Sequence, residues 1–306
     1  MPHHPEIPNE LDFLQGELNN FLNLAEQITP NPGFIPELDG LDIFGGTLPL
    51  HSRAGGDHIV YLDFNGRYDL NGRIERAKAE GRMQVVEELE RSKCKAGVLV
   101  ADVSGHRITD AYIAAMLHQA FLLGVLYELE MNGTITVKLF ETMNNRFYRS
   151  SSVNKFLTMI YGEIHRDGKF RFISAAHPMP LIFSAEYGRF VNIHPEQMTR
   201  FPPIGTLPSK LDPDKSRERT PISFKDNYQV HELKLMSPGD ILILITDGFE
   251  EHGRDDATYI SARLEDQLRE AKHLPAREIY QIVQKDLLEF APQRDDISMV
   301  FIKKST

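Results

Sequence analysis

The sequence predicts an α+β layered fold, and three observations carry that prediction. Short β-branched runs are bounded by turn residues, hairpins join most of those runs, and helices arrive in pairs instead of alternating one for one with strands. A doubly wound parallel sheet would need the alternating order.

Taken in order, Leu11, Leu14, Leu18, Phe21, Leu22 and Leu24 fall at mostly helical spacing and predict an amphipathic helix within residues 8–29. The Pro30-Asn31-Pro32-Gly33 breaker ends it. Such a helix suits a core element, a pairing surface for a second copy, or a contact for an upstream regulator, and periodicity does not choose among them. The chain therefore divides into a helical linker or dimerisation segment, 1–31, and one large domain, 32–306.

HIVYLDF (58–64) reads as a strand. Residues 73–93 carry Glu, Arg and Lys at i to i+4 separations, which predicts an exposed helix with a solvated charged face. AGVLVAD (96–102) is a compact strand, followed by a long apolar helix over 108–130 and another over 134–149. Strands follow at 156–165, 169–176 and 180–185, with Asp167-Gly168 turning the first hairpin. Residues 194–229 are rich in proline and charge and lack periodicity, a pattern typical of a lid or binding loop. HELKLM (231–236), a Ser-Pro-Gly-Asp turn and the strand ILILIT (241–246) come next. Helices near 258–270 and 275–289 and a last strand, ISMVFIK (297–303), complete the chain.

With 306 residues the chain can bury a large core, so stability need not come from cross-links. Its single cysteine, Cys94, cannot form an internal disulfide and fits a reducing compartment. A net charge of -10 with mixed signs gives no broad cationic surface, which argues against nucleic acid as a partner. Uninterrupted apolar runs such as ILILI fall far short of the roughly 20 residues that cross a bilayer, and no signal-like segment opens the sequence. No membrane partner and a cytoplasmic location are therefore expected.

Three acidic positions share one context. Asp102 ends AGVLVAD, Asp247 follows ILILIT, and Asp295-Asp296 directly precedes ISMVFIK. Any one of them alone reads more simply as a turn or cap residue. Together, with glycine beside two of them (SGH and TDGFEE), they predict carboxylates that converge on one sheet edge and need cations to offset their repulsion. Hard oxygen donors suit Mg2+ or Mn2+, not zinc.

In order along the chain stand SRAGGDHIVYLDF, GVLVADVSGH with its long Ala/Met-rich helix, FISAAHPMPLIF, PPIG, SPGDILILITDGFEE and QRDDISMVFI. Over roughly residues 36–303 this series resembles the SpoIIE/RsbU-type branch of the metal-dependent PP2C-like serine/threonine phosphatases. Each piece is weak alone; TDG behind PGD and a strand, with a terminal RDD, is specific in combination. The resemblance implies an αββα sandwich of two antiparallel sheets flanked by helices, and two divalent cations, Mn2+ or Mg2+, that ready a water to attack a phosphoester. It implies Asp102 as the bridging ligand, the Val103 carbonyl as a backbone ligand, and Asp247 and Asp295 as further ligands, with Asp102 and Asp247 central to catalysis. Asp57 of GGD resembles the early acidic residue that supports the second metal, and Asp296 is the substitute if the RDD register shifts by one. The implied partner is a phosphoprotein, in this branch often a phosphorylated STAS-domain anti-anti-sigma factor in bacterial partner-switching.

The chain departs from the pattern at Arg107, where a small residue is usual, and at Ala176, where glycine is usual before His-Pro. The 65–95 segment is also longer than is typical. None of these removes a ligand. His106 is placed to protonate a leaving alkoxide only if the fold turns it inward, His177 reads as structural, and His3 and His4 belong to a terminal tail. Two other functions compete: a catalytically weak binding module on the same fold, and a nucleotidyl cyclase. The second would want a glycine-rich phosphate loop, which the sequence lacks.

Overall fold

The structure, a computed structural model, describes residues 10–27, 34–50, 55–105, 108–150, 155–193, 198–217 and 223–305. In chain order, α1 (Glu10–Glu26) precedes β1 (Leu41–Leu48) and β2 (His58–Asp63). Three helices follow, α2 (Phe64–Arg67), α3 (Leu70–Ala79) and α4 (Met83–Ser92), and lead to β3 (Lys95–Val103). The pair α5 (Ile108–Met131) and α6 (Val137–Ser150) precedes β4 (Leu157–His165), β5 (Lys169–Ala175), β6 (Leu181–Ser184) and the short β7 (Arg189–Phe190). After β8 (His231–Lys234) and β9 (Ile241–Ile245) come α7 (Asp247–Glu250) and a two-residue hairpin, β10 (Gly253–Arg254) with β11 (Ala257–Thr258). A π-helical turn, Ile260–Leu264, opens into α8 (Glu265–Ala271), and α9 (Ala276–Phe290) and β12 (Ile297–Lys304) follow.

The strands form two five-stranded antiparallel sheets, ordered β1-β12-β9-β6-β7 and β2-β3-β4-β5-β8. Period-two alternation explains how both faces of each sheet are filled. Val98 and Val100 of β3 point between the sheets with Ile59, Tyr61, Leu242, Leu244, Val300 and Ile302, forming the central core. Their neighbours Leu99, Ala101 and Val103 point outward, under α3 to α6. Ile241, Ile243 and Ile245 of β9 likewise face α8 and α9. With both faces covered, the strands read as unbroken apolar runs.

Helix α5 covers its sheet through Ala114, Leu117, Phe121, Val125 and Leu129, one stripe at helical spacing. The helix is apolar enough over Asp110–Met131 to cross a bilayer by length and composition, and its opposite face exposes Tyr112, Leu123, Leu126 and Tyr127. Against α5 lies α1, where Phe21 packs on Ala111.

The single exposed helix expected over 73–93 is two helices, broken at Gly81, whose φ is +73°. Their inner faces bury Leu70, Ile74, Val86 and Leu89, while the charges pair outward as Lys78–Glu75, Arg91–Glu88 and Lys93–Glu90. Strand β1 escapes sequence reading because Gly45-Gly46 interrupts its pattern, yet it pairs with β12 along its whole length.

Candidate active site

Four strand ends meet at one edge of the sandwich. In one sheet β3 carries Asp102-Val103 and its neighbour β2 is preceded by Gly55-Gly56-Asp57. In the other, β9 hands over through Thr246 to Asp247, the first residue of α7, and β12 follows Asp295-Asp296. Side chains and backbone tie the two sheets together there. Thr246 Oγ1 donates to Asp57 Oδ2 at 2.7 Å while accepting from the Ser298 amide at 2.9 Å. The Gly56 and Leu50 amides donate to the two carboxylate oxygens of Asp296 at 2.7 and 2.8 Å, and the Val103 amide donates to the Gly56 carbonyl at 3.3 Å.

Glycine is required at this junction. A Cβ on Gly56 would sit 2.8 Å from the Val103 carbonyl oxygen, and one on Gly248 would overlap the Asp296 carbonyl oxygen.

The electrostatics separate the aspartates. Burial, together with the charges of Asp247, Asp295, Asp296 and Asp110, raises the Asp102 carboxyl to about 8. Asp57 is raised well above the usual carboxylate range by burial and by Asp102, against the hydrogen bond from Thr246. Burial and then Asp295 raise Asp247; Glu250, on the same short helix, is raised by burial, Asp247 and Glu251. The structure thus gathers carboxylates around Asp102: its charge opposes that of Asp57, and the charges of Asp247 and Asp295 oppose its own and, in the case of Asp295, that of Asp247. Asp296 differs, because two backbone amides hold both its oxygens and it is buried. Asp295, half-buried, accepts from the Asp296 amide at 2.8 Å and acts on Asp102 and Asp247.

This donor set of carboxylates and the Val103 carbonyl fits a hard divalent cation by chemistry and by its unfavourable self-repulsion. Among the described residues no three His, Cys, Asp or Glu side chains stand at ligand spacing, so the fit lies in donor type and field rather than in a closed coordination cage.

Sequence reasoning missed several neighbours. Asp110, fully buried in the first turn of α5, pairs with Lys155 at 2.8 Å, and Lys155 Nζ also donates to the Ser104 carbonyl at 2.5 Å, pinning the loop after β3. An acidic residue at a helix start was the available signal. Thr246 was hidden at the end of an apolar run. His177 is held by Thr158 Oγ1 at 2.9 Å and kept neutral, its pKa lowered by burial to about 3, in keeping with a structural role. His106, Arg107, His3 and His4 lie outside the described residues.

Beside Asp247 opens a cleft of about 340 Å³ lined by β4, β5, the β5–β6 connection, α7 and residues 198–201. The described parts of the 194–229 segment make contacts to α6 and β4. Glu141 accepts from Lys225 at 2.8 Å and from the Tyr228 amide at 2.6 Å, Asn144 accepts from the Gly205 amide, and Ile204 bridges Leu157.

The profile of the family "Stage II sporulation protein E (SpoIIE)" matches residues 92–305. Among solved structures, the chain resembles the SiaA-PP2C domain of Pseudomonas aeruginosa at 17% identity and a TM-score of 0.64, covering 97% of this chain and 99% of that one. It resembles the RsbU and RsbW domains of Rv1364c from Mycobacterium tuberculosis at 19% identity and a TM-score of 0.61, over 90% of this chain and 64% of that one. The PP2C phosphatase domain and regulatory fragment of SpoIIE from Bacillus subtilis matches at 12% identity and a TM-score of 0.58, over 87% and 64%. The chain thus spans just under two thirds of the last two, and at these identities the likeness is one of fold. No curated protein sequence matches.

Proposed function

The chain belongs to the SpoIIE family of PP2C-like phosphatase domains, and from that premise we propose that it is a Mn2+- or Mg2+-dependent phosphoprotein phosphatase acting on phosphoserine or phosphothreonine. The observation that supports it is the repulsive convergence of Asp102, Asp247 and Asp295 from two sheets. Asp102, Asp247, Asp295 and the Val103 carbonyl would hold the cations, with Asp57 in support. When bound, two divalent cations supply the Lewis acidity that makes water nucleophilic and offsets charge on the phosphoryl oxygens.

The chain's own part is to place donors. Thr246 and the Ser298 amide orient Asp57, Asp296 clamps the Gly56 turn against β12, and Lys155 with Asp110 fixes the loop that follows Asp102. A side-chain nucleophile has no role in this scheme, in keeping with a free, half-buried Cys94 in the turn before β3, at the strand's far end from Asp102.

A phosphorylated STAS-domain anti-anti-sigma factor is the substrate we favour, in a cytoplasmic partner-switching pathway. Residues 1–31 would serve dimerisation or coupling to a regulator. The contact of Phe21 with Ala111, next to the Asp110 that acts on Asp102, supports coupling. The test is hydrolysis of p-nitrophenyl phosphate in Mn2+, Mg2+ or EDTA by the wild type, Asp102→Asn and Asp247→Asn. Metal-dependent turnover that both variants lose is expected. Metal binding without turnover would instead make the chain a binding module, and turnover of a nucleoside triphosphate alone would make it a cyclase.

A further inference from the structure

We propose that the cleft beside Asp247 seats one bulky apolar side chain of the phosphoprotein, flanking the phosphorylated residue and selecting substrates by it. The proposal rests on the phosphatase reading and adds to it the feature the enzyme reads.

Continuity with the site is the first argument. Asp247 and Glu250 of α7 form part of the cleft wall, and Thr158, in the same wall, is the cross-strand partner of Asp102. A polypeptide that brings its phosphate to Asp102 and Asp247 therefore has a neighbouring residue at the mouth of this cleft.

The chemistry of the lining is the second. Phe172, Met179, Met198 and Phe201 make the walls apolar, and methionines adapt to side chains of differing shape. Phe172, Phe201 and Met198 are themselves buried, so the walls are fixed by the core behind them. Charge stands at one side, where exposed Arg200 acts on Glu250.

The third argument is size. About 340 Å³ is at the lower end of small-ligand sites, ample for a leucine or methionine side chain and too small for a secondary-structure element.

The experiment uses the full chain with Mn2+ and a set of phosphoserine peptides, otherwise Ala/Gly, in which a single leucine is moved through the two positions on either side of the phosphoserine. For the wild type, one leucine position should raise kcat/KM over the all-alanine peptide by about tenfold or more, the usual discrimination of an apolar pocket. Met179→Trp, which fills the cleft, should reduce that ratio to within about twofold, the ratio being taken within each protein so that any general loss cancels. Met198→Ala, which deepens the cleft, should move the preference from leucine toward phenylalanine. Equal kcat/KM for all peptides in the wild type, or a leucine preference unchanged in both variants, overturns the proposal while leaving the phosphatase reading intact. A wild type inert toward both p-nitrophenyl phosphate and the peptides overturns that reading, and this proposal with it.

Discussion

Asp240 stands just before the start of β9 and Asp102 near the end of β3, yet their surroundings are opposite. Asp240 accepts from the amides of Ala185, Met236 and Ser237 at 3.0, 3.0 and 2.8 Å, so the Ser-Pro-Gly-Asp turn is a closed structural device. Asp296 is closed in the same way by Leu50 and Gly56, and Glu141 is closed by buried Lys225. Asp102 instead faces Asp247, Asp295, Asp296 and Asp110. Where a carboxylate serves the fold, the chain supplies its amides or cation; at the strand-end group it gathers further carboxylates. A repulsive arrangement that costs stability is the signature of a site kept for something other than folding.

The comparison is broken most severely by mutating the repulsive group itself. Asp102→Asn should lower Mn2+-dependent hydrolysis of p-nitrophenyl phosphate by at least about 100-fold. The same change should raise the melting temperature of the metal-free protein at pH 8, on the order of 5 °C, because it removes a buried charge from among like charges. Lost activity together with gained stability, read by assay and calorimetry, is the expected pair.

Closed carboxylates should behave in reverse. Glu141→Ala strands Lys225, which is 1% exposed, and should cost about 4 kcal/mol and about 10 °C in melting temperature. Asp296→Ala leaves two buried amides without their acceptor and should cost about 3 kcal/mol in denaturant titration.

Stability against pH sharpens the contrast. The folded Asp102 pKa of about 8 lies above an ordinary value of about 3.9, so between those limits the folded state binds the extra proton. The contribution is whole below about pH 4 and is lost as pH rises through about 8. Melting temperature of the metal-free protein should therefore fall across that window, and the fall should be shallower in Asp102→Asn. A still smaller effect is expected at Ala176, whose φ is +53°, a strained value for a residue with a Cβ. Ala176→Gly should stabilise by no more than about 1 kcal/mol, which a careful melting series resolves.

Much of this contrast was legible in the residues. The strand ends of AGVLVAD, ILILIT and ISMVFIK point their aspartates at one edge because antiparallel neighbours fix which ends meet, and paired helices announced the layered fold. What stayed hidden depends on distance across the chain. Nothing near Asp296 in sequence says that Leu50 and Gly56 will cap it, 246 and 240 residues away, so the two members of Asp295-Asp296 look alike until folded. Asp57 met Thr246 in the same way. The continuous charge pattern over 73–93 hid the break at Gly81, because solvated i,i+3 pairs occur on both resulting helices. The 194–229 segment looked like a lid because its anchors are on α6, in contacts of Glu141, Asn144 and Asn145 that periodicity cannot register.

The central claim is that the strand-end carboxylates jointly hold divalent cations, and anomalous scattering from crystals soaked in Mn2+ tests it most directly. The account predicts manganese peaks in contact with Asp102 and Asp247 that vanish in Asp102→Asn. Manganese found only elsewhere on the molecule, with the wild-type aspartates turned away from one another and no peak between them, would contradict it.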